Sequence, residues 1–195
     1  MGVNINRRDF FKKTRGWDKY ISGWGLEDSY LFKYVVEFLK ENRGNKLFLH
    51  ILPADTHTPY GRSSYYGGIS EYQEISNDLT CSIDNRSLLS SFKREDLNVG
   101  DFYHDLLKEN LLDEETLLII TADHSSPNCY NPKPEILARV PIVFISNRKR
   151  LEFNLGGGHR SQVDIAPTIL ELAKIKPPLG YFGKSLLSNE ESPYF

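Results

Sequence analysis

The sequence predicts an α/β fold in which helices pack on a largely parallel sheet. Three short apolar runs, at residues 46–52, 117–121 and 140–146, have the length of strands. Unbroken apolar runs are typical of strands that are buried on both faces of a parallel sheet. Stretches with apolar residues at helical spacing lie between these runs, and that alternation is the pattern of an α/β domain.

The composition excludes several classes of protein. The chain has 195 residues, 39% of them hydrophobic and 26% charged, which is enough for one globular domain with a core. Its net charge of -2 predicts no broad basic surface for nucleic acid. The sequence shows no signal peptide, and no apolar run approaches the ~20 residues that span a bilayer. Cys81 and Cys129 form no Cys-x-x-Cys pair, which excludes a zinc ribbon and leaves a disulfide open.

The first predicted helix covers about residues 29–42, because its apolar residues recur at helical spacing. Asp28 or Ser29 is expected to cap its start, since a short polar side chain can accept hydrogen bonds from the first turn. Gly44 is expected to end it.

The strand predicted at residues 46–52 contains one histidine and is followed by a second. His50 is interpreted as a buried, hydrogen-bonded core residue, with a ligand as the alternative. His57 lies in a polar loop just past the carboxyl end of the strand. Because open α/β sheets bind their ligands at that edge, His57 is a candidate site residue.

A helical pattern covers residues 71–110, with a break expected near Asp84-Asn85. Gly100 would cost a helix about 1 kcal/mol relative to alanine, so close packing is expected there. His104 is expected on the surface. The residues assigned to the buried faces are Leu88, Leu89, Phe92, Val99, Phe102, Tyr103, Leu106 and Leu107.

The strand at residues 117–121 leads directly to Asp123 and His124. Carboxylate and imidazole groups are ligands of first-row metals, and here they follow the carboxyl end of a predicted strand. The alternative is an aspartate that caps a helix beside a surface histidine. The spacing of the two residues does not separate these interpretations.

The last third of the chain contains the strand at residues 140–146 and a glycine-rich loop that ends at His159. A helix is predicted at residues 161–172. Its inward residues are expected to be Val163, Ile165, Ile169 and Leu172.

Seven segments of the chain, in order, resemble those of one known family. They are residues 24–28 (Trp-Gly-Leu-Glu-Asp), 48–60, 96–100 (Asp-Leu-Asn-Val-Gly), 116–126, 139–141 (Arg-Val-Pro), 161–168 (Ser-Gln-Val-Asp-Ile-Ala-Pro-Thr) and 182–187 (Phe-Gly-Lys-Ser-Leu-Leu). The family is the sulfatase branch of the alkaline phosphatase superfamily, and the resemblance is nearest to lipoteichoic acid synthase-like phosphoglycerol transferases. It implies an alkaline phosphatase-like fold, with residues 1–195 forming the carboxyl-terminal portion of the catalytic domain.

The resemblance implies roles for four residues. Asp123 and His124 would be metal ligands, His57 would be a catalytic residue that contacts the phosphate or sulfate of the substrate, and His159 would contact the same anion or a second metal. Zn or Mn would suit these ligands, and Mg or Ca would suit a site dominated by oxygen. A metal polarises the ester oxygen, and histidines can donate to the charge that develops on the transferred group. Asp164 and Thr168 are expected to hold their helix in place.

The resemblance does not supply a nucleophile. The formylglycine signature Cys-x-Pro-x-Arg fails at both cysteines, since Ser-Ile-Asp-Asn follows Cys81 and Tyr-Asn-Pro-Lys follows Cys129. The nucleophile of the family lies in the amino-terminal half of its domain. The chain is therefore expected to be part of a metal-dependent enzyme that acts on phosphate or sulfate esters. The nucleophile-bearing half of that enzyme is not found in this chain and is a candidate partner.

Two other readings stay open at this point. The first is a non-catalytic sulfatase-like module that binds anionic glycans or lipid head groups. The second is an unrelated α/β domain with a fortuitous Asp-His pair. Localisation also stays open, although relatives of the transferase type are often membrane-anchored and face outside the cytoplasm.

Overall fold

The computed structural model describes residues 25–57, 80–81, 85–125, 129–130, 139–147, 160–176, 178, 180 and 182–188. The chain divides into two compact units, Met1–Asn147 and Arg148–Phe195. The described elements of the first unit are α1 (Asp28–Glu41), β1 (Thr80–Cys81), α2 (Asn85–Lys108), β2 (Leu118–Thr121), β3 (Cys129–Tyr130) and β4 (Ile142–Ile145). In the second unit, a 3-10 turn (Gln162–Asp164) leads directly into α3 (Ile165–Leu172).

Helix α1 confirms the first predicted helix, but its start differs from the prediction. Glu27 occupies the N-cap position and makes no side-chain capping hydrogen bond. Asp28 is the first helical residue, and its carboxylate accepts hydrogen bonds from the backbone of a distant turn instead. After the helix, Gly44 has a φ of +79°, the left-handed conformation that glycine adopts without steric cost.

The core of the first unit lies between α1 and α2. The rings of Phe32 and Phe102 stack with centroids 4.8 Å apart and planes 18° from parallel. Fully burying a side chain of this size stabilises the fold by about 1.5–3 kcal/mol. The buried members of this cluster are Phe32, Val35, Val36, Phe102, Leu106 and Leu112.

Helix α2 is shorter than the predicted helical region and less regular in its burial. The predicted break near residue 84 is confirmed, because α2 begins at Asn85 and the preceding described residues belong to β1. His104 is exposed, as expected. Phe92 and Leu107 were expected to be buried but are 49% and 40% exposed. The prediction for Gly100 was wrong, since no described residue outside its own helix lies within 4 Å of the position a Cβ would take.

Both ladders in the described residues are antiparallel. β2 pairs with β4, with Leu118 opposite Ile145 and Thr121 opposite Ile142. β1 pairs with β3, which places Cys81 opposite Cys129 in the backbone register. The α/β class is confirmed, but these strands do not pair in the predicted parallel way. A parallel pair requires a long crossover, usually a helix, whereas the described residues between β2 and β4 contribute only the short strand β3.

The segment predicted as a strand at residues 46–52 is not assigned to a ladder. Leu49 and Ile51 are partly buried against the α1–α2 cluster. Phe48 and Leu52 are 76% and 68% exposed, and His50 is exposed with them. The prediction that His50 is a core residue was therefore wrong, because side chains alternate along this extended segment and only one face is covered.

The second unit is held together by two buried polar side chains. Asp164 accepts hydrogen bonds from the backbone N–H groups of Ser161 and Lys184, both at 2.8 Å. The hydroxyl of Thr168 donates to the Asp164 carbonyl and accepts from the N–H of Leu186 at 2.9 Å. These bonds confirm that Asp164 and Thr168 hold the helix in place.

Two further features of the described residues bear on the predictions. Val163, expected to face inward from its helix, is 41% exposed. Among the residues the structure describes, no helix is both long enough and apolar enough to cross a bilayer.

Candidate functional site

Asp123 and His124 lie immediately beyond the carboxyl end of β2, as the sequence predicts. The end of this strand is fixed to the start of β4, because the Thr121 hydroxyl donates to the Pro141 carbonyl at 2.8 Å. The side chains of Asp123 and His124 are 69% and 64% exposed. The pair therefore stands on an anchored strand end and is open to a ligand from solvent.

Local hydrogen bonds orient both side chains of this pair. Asp123 Oδ1 accepts the backbone N–H of His124 at 2.9 Å, and Oδ2 takes no part in this hydrogen bond. His124 Nδ1 lies 2.6 Å from the carbonyl oxygen of Ser125. A carbonyl oxygen can only accept a hydrogen bond, so Nδ1 carries the proton. In the neutral ring, Nε2 then holds the lone pair that could bind a metal.

The geometry of the pair fits a divalent metal. His124 Nε2 and Asp123 Oδ2 lie 3.4 Å apart. Two ligand atoms of a tetrahedral ion with bonds of about 2.1 Å are separated by about 3.4 Å. When the imidazole is neutral, both atoms carry lone pairs, and when it is protonated the two groups form an ion pair. Within the described part of the chain, however, no group of three or more His, Cys, Asp or Glu side chains could hold a metal.

The structure describes one of the other two predicted site residues. His57 is exposed on a separate turn, where its backbone N–H donates to the Ala54 carbonyl at 3.0 Å. This turn follows the extended segment that packs on the α1–α2 cluster through Leu49 and Ile51. Leu118 of β2 packs against the same cluster. His159 falls outside the described residues.

A buried polar cluster stands beside the His57 turn, and the sequence analysis did not predict it. Asp28 and Asp55 are 0% and 6% exposed, and Arg94 and Asn98 of α2 are 5% and 3% exposed. Arg94 Nε lies 3.7 Å from Asp55 Oδ2. Arg94 is thus the cation that approaches a pair of buried carboxylates.

Burial raises the pKa of two carboxyl groups in this cluster. The pKa of Asp55 rises from 3.8 to about 6, through desolvation first and then through the negative charge of Asp28. The pKa of Glu95 rises from 4.5 to about 9, for the same two reasons and through a side-chain hydrogen bond with Asp28. This raised pKa favours the protonated form of Glu95, which can share its proton with the Asp28 carboxylate.

One signal in the sequence could have revealed this cluster. The buried stripe of α2 contains Leu88, Phe102 and Leu106, but polar residues occupy its middle. Those polar residues are Ser91, Arg94 and Asn98, which are buried at helical spacing. Polar side chains on the buried stripe of a helix require hydrogen-bonding partners on the element that packs against them.

The comparisons with known proteins agree with this architecture. The chain matches a structure of a protein in the alkaline phosphatase superfamily from Vibrio parahaemolyticus, with a TM-score of 0.66 and 20% identity. That match covers 97% of this chain and 47% of the other. The fold is therefore that of the alkaline phosphatase superfamily.

The sequence comparisons define the family within that superfamily. The sulfatase family profile matches residues 3–175, and the chain belongs to that family. It is also 33% identical over 100 residues to a 2,3-bisphosphoglycerate-independent phosphoglycerate mutase from Antithamnion sp.. This alignment covers 48% of the chain and 19% of the mutase. The chain thus spans about half the length of the structural relative and a fifth of the mutase.

Proposed function

We propose that this chain supplies the metal-binding and anion-contacting part of a sulfatase-family enzyme that hydrolyses or transfers a phosphate or sulfate ester. The observation that carries the proposal is the Asp123–His124 pair, whose Oδ2 and Nε2 atoms are 3.4 Å apart on an anchored strand end. Sulfatase-family members generally use divalent metals, and the matched region includes both residues. Zn or Mn best suits one carboxylate and one imidazole.

In this proposal each residue has a distinct task. A divalent metal, when bound, would polarise the ester oxygen and stabilise negative charge there. Asp123 and His124 would hold that metal, and the Nδ1–H bond to Ser125 would keep the ring of His124 in the tautomer that presents Nε2. His57 would donate to an oxygen of the transferred phosphoryl or sulfuryl group. His159 would contact the same anion.

The similarities favour a phosphate ester as the first substrate to test. The mutase relative is named for a phosphorylated substrate. The segments compared above also resemble those of phosphoglycerol transferases most nearly. We therefore propose a phosphate ester of an alcohol as the substrate class, with a sulfate ester as the second choice.

The proposal requires residues beyond this chain. A catalytic metal usually has three or four protein ligands, and this pair supplies two. The resemblance places the nucleophile and a further acidic ligand in the other half of the family's domain. We propose that those groups come from that half, on the same polypeptide or on a separate one.

The metal assignment is tested by calorimetric titration of the chain with Zn²⁺ and Mn²⁺. Asp123→Asn combined with His124→Ala should weaken binding at least about tenfold, because a ligand must offer a lone pair in the right place. The matched control removes one carboxylate and one imidazole from the exposed surface of α2, as Asp96→Asn with His104→Ala. The control should bind as the parent does. Equal binding by the parent and the Asp123/His124 variant would show that the pair is structural.

A further inference from the structure

The turn that bears His57 is tied to the start of α1 by two aspartates. Asp28 Oδ1 accepts the N–H of Ala54, and Asp28 Oδ2 accepts the N–H of Asp55, both at 2.8 Å. In the reverse direction, Asp55 Oδ2 accepts the N–H of Asp28 at 3.3 Å. Each aspartate thus binds the backbone of the other, although 27 positions separate them in the chain.

We propose that Asp28 and Asp55 are positioning residues that form a clasp for the His57 turn, with Arg94 holding the clasp in place. The turn begins at Ala54, whose N–H is bound by Asp28. It closes at His57, whose N–H donates to the Ala54 carbonyl. Both ends of the turn are therefore fixed relative to α1. The functional part of the inference rests on the role proposed above for His57.

Burial makes the clasp strong enough to position a side chain. Hydrogen bonds to an ionised carboxylate are about twice as strong as neutral ones, and they are not weakened by water where the carboxylate is fully buried. Asp28 is 0% exposed and Asp55 is 6% exposed. An exposed imidazole such as that of His57 gains a defined location only from the backbone that carries it, and this backbone is bound at three N–H groups.

Helix α2 supplies the side chains that offset the negative charge of the clasp. Glu27 and Asp28 lie at the start of α1, Asp55 lies on the turn, and Arg94 and Glu95 face them from α2. Among the residues that the structure describes here, four carboxyl groups and one guanidinium share this region. Arg94 offsets the charge of Asp55, and a protonated Glu95 adds a donor to Asp28 in place of a further negative charge.

Amide hydrogen exchange, followed by NMR on the 195-residue chain, tests the clasp. Asp28→Ala should raise the exchange rates of the Ala54, Asp55 and His57 amides about tenfold or more, because the turn loses its hydrogen bonds to a buried carboxylate. Asp28→Asn keeps one acceptor oxygen and should give intermediate rates. It also serves as the second variant if Asp28→Ala does not fold.

The control is Leu106→Ala, which lowers the stability of the α1–α2 core without touching the clasp. It should accelerate exchange within α2 more than at the three turn amides. Unchanged turn amides in Asp28→Ala, or an equal increase at the turn and throughout α2, would overturn the clasp.

A separate comparison distinguishes the clasp from the proposed function. In a longer, active protein, His57→Ala and Asp28→Ala should both lower kcat, and Asp28→Asn should lie between Asp28→Ala and the parent. If Asp28→Ala frees the turn while His57→Ala leaves turnover unchanged, the clasp stands and the role proposed for His57 fails. If His57→Ala lowers kcat while Asp28→Ala does not, the clasp does not position His57, and this inference fails alone.

Discussion

The tautomer of His124 illustrates how a single hydrogen bond can determine what a site binds. The Ser125 carbonyl holds the proton on Nδ1 and so leaves the lone pair on Nε2, 3.4 Å from a carboxylate oxygen of Asp123. Without that bond, either nitrogen of the neutral ring could carry the proton, and Nε2 would not be fixed as the atom with the lone pair. The neighbouring backbone thus determines which ring nitrogen can accept a ligand.

A single glycine has a comparable effect in the second unit. Gly183 has a φ of +87°, and a Cβ at this position would lie 2.2 Å from the Val163 carbonyl oxygen. Gly183→Ala should therefore lower the free energy of unfolding by the cost of left-handed backbone, about 1–2 kcal/mol, and by a steric term in addition. Urea unfolding followed by circular dichroism measures the change.

The matched control for that prediction is Gly180→Ala. Gly180 has a φ of +82°, but apart from its chain neighbours no described residue lies within 4 Å of its Cβ position. Gly180→Ala should therefore lower the free energy of unfolding only by the cost of left-handed backbone. Equal losses for the two variants would mean that Val163 moves away at no cost and that the close approach has no energetic role.

The residues that sequence reasoning placed correctly are those whose position follows from a strand end or a motif. Asp123 and His124 follow an apolar run, and the structure places them at the end of β2. Asp164 and Thr168 lie in a motif, and their hydrogen bonds hold it. His50 was misplaced because an apolar run does not show whether one face or two will be covered.

At the scale of elements, the buried stripe of α2 is apolar toward its two ends and polar in its middle. Phe102 and Leu106 pack against α1, whereas Arg94 and Glu95 reach the clasp. The partners of such polar residues are distant in sequence, so periodicity alone could not assign them. The sequence pattern also could not show the direction in which the strands pair, because an apolar run does not indicate whether its neighbour runs parallel or antiparallel.

The buried carboxyl group of Glu95 predicts a pH dependence of stability. Its pKa is 4.5 when unfolded and about 9 in the fold. Between those values the folded state holds a proton that the unfolded state has released, so the free energy of unfolding falls as pH rises. Asp55 acts in the same direction between 3.8 and about 6. These two groups should therefore make the first unit more stable at pH 5 than at pH 8.

Glu95→Gln tests this dependence, because an amide stays neutral at every pH. Urea unfolding should show the variant to be more stable than the parent at pH 8, with a much smaller difference at pH 5. Glu115→Gln, at an exposed position, should leave the pH dependence of the parent unchanged. A parent and a Glu95→Gln variant with parallel pH profiles would mean that Glu95 is ionised in the fold.

At the scale of the whole molecule, the fold and the family are established, and the reaction is a proposal. The chain covers nearly half of its structural relative and aligns to a fifth of the mutase. Phe48 and Leu52 are exposed on the extended segment that carries the His57 turn, and Val143 of β4 is 46% exposed. These apolar side chains are consistent with a further layer of structure, as the proposed partner half would supply.

The most direct test of the central claim is the turnover of nitrophenyl phosphate and nitrophenyl sulfate with added Zn²⁺ or Mn²⁺. The 195-residue chain alone should show no measurable turnover, because removing the nucleophile from such a site costs many orders of magnitude in rate. A longer protein that includes the nucleophile-bearing half should turn over at least one ester, and Asp123→Asn should abolish that activity. Robust metal-dependent turnover by the chain alone, abolished by Asp123→Asn, would contradict the claim and place the nucleophile within these residues. A longer protein without turnover that binds anionic glycans would contradict it in favour of the non-catalytic module.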